Sequence, residues 1–454
     1  MASFDADLPP LPPSLLRLAT SLHHYGPGKI ENASSLSFQS SFRSAGMPHK
    51  ATEALLKALD QARVDVATAL QSGDCANAGA ACERYLPMIR RLLLSCEVQS
   101  ESAVLDKRLA FKWQGGLEGD GTGGLIGKVR ESQALMYEVS MTIGTVAVAS
   151  AGDACADSQK GQFPSACSKF KTAAAVMKHL AEKHLPQWVA LGSSTSEADL
   201  PAECVRAVAE GFVSMFLAHA QQMAIAKALQ EPAAKVNMSV LAKLTKGVQE
   251  TVDGFVSQLR ANAGMHFCRL PGPYLSYITF QSALQDALSL YFQARLTWAA
   301  GKERGLALSM MNAARAGLSV RASVTSKGIP EAINSSNSPL YVLRGELEEF
   351  GAHVDQIRAA WLKDINTVYF EKVPDTPPVG KLLSKGLLMM KVEPWTGNDF
   401  IDLEPVTLAV LDQSGGGSAS APAEEGKSEA KGIERSDSDL ARELQEKLNA
   451  GEDI

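Results

Sequence analysis

The side chains best able to do chemistry here are eight histidines and seven cysteines. Their spacing gives them little to do. The cysteines (Cys75, Cys82, Cys96, Cys155, Cys167, Cys204 and Cys268) include no Cys-x-x-Cys pair, and none has an arginine six positions on, as a cysteine phosphatase requires. His179 and His184 stand five apart on one expected helix, hence on different faces, and no carboxylate completes a His-Glu-x-x-His pattern. His219, between Ala218 and Ala220, reads as a packed or hydrogen-bonded core residue. The glycine-rich run ending in Gly127-Lys128-Val129 approaches a phosphate loop, but Thr122 occupies the first glycine position and Val129 the hydroxyl position. There is no Gly-x-Ser-x-Gly elbow and no glycine fingerprint behind a strand. Glu348-Glu349 and Glu424-Glu425 read as solvated charge. The expectation is a protein that is not an enzyme and that uses neither cofactor nor metal.

The pattern with more content is apolar. Val236, Val240, Leu244, Val248, Val252 and Phe255 recur every three to four residues, with Leu241 beside them. Such a stripe is the buried face of an amphipathic helix, or in part the wall of a groove for a partner helix. Most of the chain has the same periodicity. Helices are expected over Ser14–His23, Ala51–Ser72, Cys75–Leu94, Leu135–Ala151, Ala166–Leu191, Ala202–Leu229, Val236–Asn262, Tyr274–Val324 and Leu340–Thr367. Tyr274–Val324 should turn at Gly301 and Gly305, and a break is expected from Gly152 to Pro164. Alternation of Leu109, Phe111 and Trp113 with Ala110 and Lys112 predicts one half-buried strand, followed by a flexible loop over 115–124. The last helix ends on Tyr369 and Phe370. Pro374, Pro377 and Pro378 then impose an extended arm, whose Leu382, Leu383, Leu387, Leu388 and Trp395 are too apolar for a free tail and should pack along the helical body.

With 454 residues, 45% hydrophobic and 21% charged, the composition is that of an ordinary globular protein. A net charge of −6 leaves no broad basic field for nucleic acid or anionic lipid. The N-terminus lacks the basic start and apolar core of a signal peptide, no apolar run approaches the ~20 residues of a membrane span, and the C-terminus carries no prenylation cysteine. A reduced, cytoplasmic location follows as the expectation.

Several strings, in order, resemble the Bro-one domain family, the ESCRT-associated proteins that include Alix. They are Leu109-Ala110-Phe111-Lys112-Trp113 and the glycine loop after it, Met136-Tyr137-Glu138-Val139-Ser140, the helix around Phe170 to His179, Leu217-Ala218-His219-Ala220-Gln221, Leu241-Ala242-Lys243-Leu244, and Val368-Tyr369-Phe370-Glu371-Lys372-Val373-Pro374-Asp375. The resemblance implies a mainly α fold: an elongated, curved, tetratricopeptide-like helical array with a small N-terminal antiparallel β-sheet. It implies a Bro-one-like domain over 5–395, continued by an extended arm over 396–411. A flexible linker (412–435) and a short amphipathic tail (436–454) complete the chain. The long coiled domain and proline-rich tail of larger members are missing, so the chain resembles a short, single-domain member. The implied role is an adaptor in ESCRT-dependent endosomal sorting and membrane remodelling, cytoplasmic and recruited to endosomal membranes of multivesicular bodies, which binds the C-terminal helix of an ESCRT-III filament subunit. The alternative is a scaffold of the same fold serving an unrelated signalling partner. The family's aliphatic contacts fall at about Val240 and Leu244, with Leu241 beside them. An aromatic contact falls near Ala224, and a basic one near Pro164, with Lys160 as the nearest cation. In the tail, Leu440, Leu444 and Leu448 form a stripe that could compete for the protein's own groove.

Overall fold

The computed structural model describes residues 9–100, 103–105, 109–119, 127–190, 199–231, 236–321, 328–395 and 403–410. The chain from Met1 to Leu411 forms one compact unit. The tail with Leu440, Leu444 and Leu448 lies outside the described residues.

The unit is a stack of helices entered through short strands. Chain order runs α1 (Pro13–Ala19), β1 (Lys29–Ile30), α2 (Phe38–Ser41), β2 (Phe42–Ser44), β3 (Met47–Pro48), α3 (Lys50–Gln71), α4 (Cys75–Val98), β4 (Ala103–Leu105), β5 (Phe111–Gln114) and β6 (Val129–Ser132). It continues with α5 (Leu135–Gln159), α6 (Phe163–His179), α7 (Leu185–Ala190), α8 (Arg206–Leu229), α9 (Met238–Asn262), α10 (Gly272–Ala300), α11 (Arg304–Gly317), α12 (Arg344–Asp364) and β7 (Ala409–Val410). From α3 onward the long helices pack mainly on their neighbours in sequence, α3 on α4, α4 on α5, α5 on α6, α6 on α8, and so on to α12. This is the packing of a helical-hairpin array.

Several boundaries follow from single residues. Asp74 caps α4 through the amide of Asn77 (3.1 Å), and Asn237 caps α9 through that of Val240 (3.1 Å). Gly301 ends α10 in the left-handed region (φ +73°), so Tyr274–Val324 does divide there. The break expected from Gly152 to Pro164 occurs, but later than Gly152: α5 runs on to Gln159 and α6 begins at Phe163. A Cβ on Gly152 would strike the Cys75 sulfur and the Tyr25 carbonyl, so this glycine lets elements approach rather than ending a helix. The helix expected over Ala166–Leu191 is interrupted by a π-helical turn at Leu180–His184, and α12 likewise runs into a π turn at Ile365–Tyr369. By length and composition α5 could cross a membrane, contrary to the reading that no apolar run does. Of its most apolar window, 83% is buried inside the unit, and its many Ala, Gly, Ser and Thr residues suit close packing between α4 and α6.

The expected strand appears as β5, two residues later than its predicted start. Phe111 and Trp113 point inward, and β5 pairs antiparallel with β1 on one side and β6 on the other. Two further antiparallel pairs, β2 with β4 and β3 with β7, lie alongside. The described start of the glycine loop is pinned rather than flexible: Leu117 N donates to Glu203 Oε1 (2.9 Å) and Gly119 N to the Arg269 carbonyl (2.9 Å).

A buried carboxylate joins the sheet to the array. Glu138 Oε1 accepts from Arg63 Nε (2.8 Å) and Tyr85 OH (3.1 Å), and Oε2 accepts from Trp113 Nε1 (2.5 Å). Arg63 and Glu138 are both fully enclosed. One side chain on α5 thereby ties α3, α4 and β5. Glu138→Ala leaves the Arg63 charge buried without its counter-ion, which should cost roughly 3–5 kcal/mol, read as a lower urea midpoint.

Buried imidazoles set a pH dependence. Burial pushes His219 down to about 4 and His184 down to about 3, so both stay neutral in the folded state. An unfolded chain binds those protons near pH 6.5, so the stability is complete above that value and falls with pH through the window from 6.5 toward the folded values. Glu203 acts oppositely. Burial, with Glu118 nearby, raises it to about 7, and its contribution is lost as pH rises from 4.5 to 7. Two histidines outweigh one carboxyl. The melting temperature should drop between pH 7 and 5, and His219→Gln should flatten that slope.

Candidate partner-binding surface

The α9 stripe splits between core and surface. Leu241, Val248, Val252, Phe255 and Leu259 are buried, and Leu244 is only 5% exposed. Val240 stands out at 40% exposure, in the first turn after the Asn237 cap. Ala224, on the adjacent α8, is half-buried. The ring of Phe170 stands 5.3 Å from that of His219, so the middle of α6 packs on the middle of α8. Pro164 at the start of α6 and Lys160 at the end of α5 are both exposed. Ala224 and Val240 thus stand on the packed pair α8 and α9, and Lys160 and Pro164 at the junction of α5 and α6. The structure sinks Leu241 and Leu244 into the core beneath.

Across these helices lies the proline-guided arm, a strap running α10, α9, α8, α6. Leu383 N donates to Gln293 Oε1 on α10 (2.9 Å). Gly386 N donates to the Glu250 carboxylate (3.0 and 3.1 Å), and Leu387 N to the Lys243 carbonyl (2.9 Å), both on α9. Gln221 on α8 then clamps both partners. Its Nε2 donates to the carbonyls of Leu244 (2.8 Å) and Leu387 (2.8 Å), and its Oε1 accepts from Met389 N (2.7 Å). Gly247 and Gly386 meet backbone to backbone, where any Cβ on either would overlap the other segment. Further on, Met390 meets Cys167 (S···S 3.9 Å), Glu393 pairs with Lys171, and Trp395 lies edge-on to His179 (5.3 Å), all on α6.

The strap is held more by hydrogen bonds than by buried leucines. Leu382, Leu383 and Trp395 are half-buried, but Leu387, Leu388 and Met389 remain exposed, because the backbone faces the helices and the side chains face away. Exposed Lys243, Lys385 and Lys391 flank this region, while Lys246 pairs with Asp286 (3.2 Å). His219 sits below. Gln222 gives its amide to Gln281 (2.8 Å), so its Oε1 accepts from His219 Nδ1 (2.8 Å), and His219 Nε2 accepts from Tyr25 OH (2.9 Å). Both nitrogens are thus engaged within the core. Among the described residues no three His, Cys, Asp or Glu side chains converge as a metal site.

Residues 38–409 match the BRO1-like domain. The chain belongs to the BRO1-like domain family. No curated protein matches it. Among solved structures, the fold is shared with a Bro1 domain studied for endosomal targeting, at TM-score 0.58 and 15% identity over 83% of this chain and 93% of that one. It is shared with the ALIX BRO1 domain in complex with CHMP4C, at TM-score 0.56 and 17% identity over 84% and 98%. ALIX bound to the SIVmac239 PYKEVTEDL late domain gives TM-score 0.62 and 15% identity over 85% of this chain and 52% of that longer one.

In this BRO1-like domain the sequence pointed to Val240, Leu241, Leu244 and Ala224 but not to the clamp. Gln221 figured there only as the last residue of the Leu217–Gln221 string. Its only local signal is an amide set in a run of small and apolar residues, where it must find buried partners. Gln221→Leu removes three hydrogen bonds and leaves strap groups unpaired. It should weaken strap docking by roughly 2–4 kcal/mol. Hydrogen exchange should speed up at the Leu387 and Met389 amides while α10 stays protected.

Proposed function

We propose that this BRO1-like domain is a non-enzymatic, cytoplasmic adaptor of ESCRT-dependent endosomal sorting, recruited to endosomal membranes, which grips the C-terminal amphipathic helix of an ESCRT-III subunit. Family membership supports the reading, as does the shared fold with an ALIX BRO1 domain that binds CHMP4C. The observation that carries it to a residue is Val240, an apolar side chain left open at the head of α9 beside the strap. Ala224 widens the surface on the α8 side. Leu241 and Leu244 form the floor that holds Val240 in place. Lys243, Lys385 and Lys391 would suit a helix with acidic residues beside its apolar stripe.

Binding of a fluorescent CHMP4C C-terminal helix peptide tests this. Val240→Asp places a charge in the apolar contact and should weaken binding at least about tenfold with an unchanged melting temperature, since the site is half open to water. Leu244→Asp should instead lower the melting temperature, because that side chain is enclosed. Wild-type affinity in Val240→Asp would move the site elsewhere. No binding by the wild-type chain would favour the second reading, a scaffold of this fold for an unrelated signalling partner. Ala224 and Pro164 favour it too, because they supply neither an aromatic ring nor a cation where the family's contacts fall.

A further inference from the structure

The far end of the array carries a feature the adaptor reading leaves unused. Phe370 is, among the described residues, the sole non-glycine residue with positive φ (+52°). It ends the π turn, its amide bonded to the Ile365 carbonyl (2.6 Å). Glycine fills such a C-terminal position without steric penalty, whereas a bulky side chain there is strained. Strain of this kind persists only where the surroundings over-determine it. They do so here. Trp298 and Trp361 stack face to face (4.3 Å), Tyr369 stands edge-on to Trp298 (6.1 Å), and the Arg304 guanidinium lies 3.6 Å from the Tyr369 ring centre. Glu371 accepts from the Gly305 amide (2.8 Å) and fixes the chain on the other side.

What this rigid mount holds is not buried. Phe370 is 77% exposed, Val368 is 61% exposed, and Tyr369 is partly open. The strain therefore secures no core packing; it presents an aromatic side chain to the outside. Lys302, Lys363 and Lys372, all exposed, belong to the same corner and form no ion pair among the described residues, whereas Glu303 is paired with Lys381 (2.8 Å) and Glu371 accepts from the Gly305 amide. Asp364, half-buried, and Asp375, exposed, are the remaining carboxylates nearby. An exposed aromatic residue with exposed lysines on the adjoining segments is unlike the core of a protein interface, where lysine is depleted. It matches the headgroup boundary of a membrane, where aromatic rings sit at the interface and lysine stems extend to phosphates.

We propose that Val368-Tyr369-Phe370 is a membrane-anchoring tip that inserts shallowly into an anionic bilayer, with Lys302, Lys363 and Lys372 on the lipid phosphates. With Arg304 counted, four cations stand against three carboxylates (Glu371, Asp364 and Asp375) beside the neutral Lys381–Glu303 pair, a modest attraction, so binding needs both the apolar tip and the anionic surface, and it weakens with salt. The proposal stands apart from the ESCRT-III site at Val240, and neither depends on the other.

Co-sedimentation of the full chain with phosphatidylcholine vesicles, and with vesicles containing phosphatidylserine, tests it. The expected result is binding to the anionic vesicles, little to the neutral ones, and loss at high salt. Phe370→Gly relaxes the left-handed backbone, so it should melt at or above the parent's temperature while its partition falls roughly tenfold. Phe370→Asn, which also tolerates that conformation, should lose binding in the same way. The pair Lys363→Glu and Lys372→Glu should abolish the preference for anionic vesicles. Unchanged partition in Phe370→Gly and Phe370→Asn, or no binding by the parent, would overturn the proposal. Undiminished vesicle binding together with loss of a protein partner in those variants would likewise overturn it, and would make the corner a protein-docking point.

Discussion

A helix in an array of this kind touches mainly the helix before it and the helix after it, so its far members are joined only by segments that cross the stack, such as α1, whose Arg17 pairs with Glu346 and Glu349 on α12. The strap is the longest of these crossings. It begins against α11, where Glu371 caps Gly305, and then crosses α10, α9, α8 and α6 through Gln293, Glu250, Lys243, Gln221 and Cys167. At the other end, residues 403–410 are laced to α4 and α3. Arg91 donates to the Glu404 carbonyl, Ser95 and Gln99 hold both sides of Val406 and the amide of Leu408, and Thr52 donates to the Leu408 carbonyl. Gln221 is the tightest point, because a single buried amide satisfies α9 and two strap residues at once.

The helices were readable because their apolar residues recur at helical spacing, and the cap at Gly301 because only a left-handed residue ends α10 there. The misreadings have a common cause. Gly152 was taken for the start of the break that in fact begins after Gln159, yet it is the point where α5 passes close to Cys75 and the Tyr25 carbonyl, and local sequence does not distinguish a glycine that ends a helix from one that admits a neighbour. The π turns after α6 and α12 are likewise invisible to a periodicity of 3.6. The direction of the arm was legible from its prolines. Its attachment was not, since backbone amides carry most of it and Leu387 and Leu388 face outward.

The candidate surface was legible to the same depth. A stripe names a helix face but not which of its residues emerges. Val240 emerges because it lies in the first turn of α9, before the strap crosses at Lys243, whereas Leu244 lies against the core and its carbonyl is held by Gln221. A small Ala224 and a strap with outward leucines give this BRO1-like domain a shallow, partly backbone-built wall.

The strap also sets an order on synthesis. Leu408, wholly buried, and β7, paired with Met47 and Pro48, belong to the end of the compact unit, yet the slot they fill is lined by residues from its first hundred. A ribosome adding 5–20 residues per second needs roughly 20–70 s to pass from α3 to β7. For that interval the slot that Leu408 fills stands open beside Thr52, whose hydroxyl awaits the Leu408 carbonyl. The chain must carry its own unfinished seam through translation, and a ribosome-associated chaperone would meet it there.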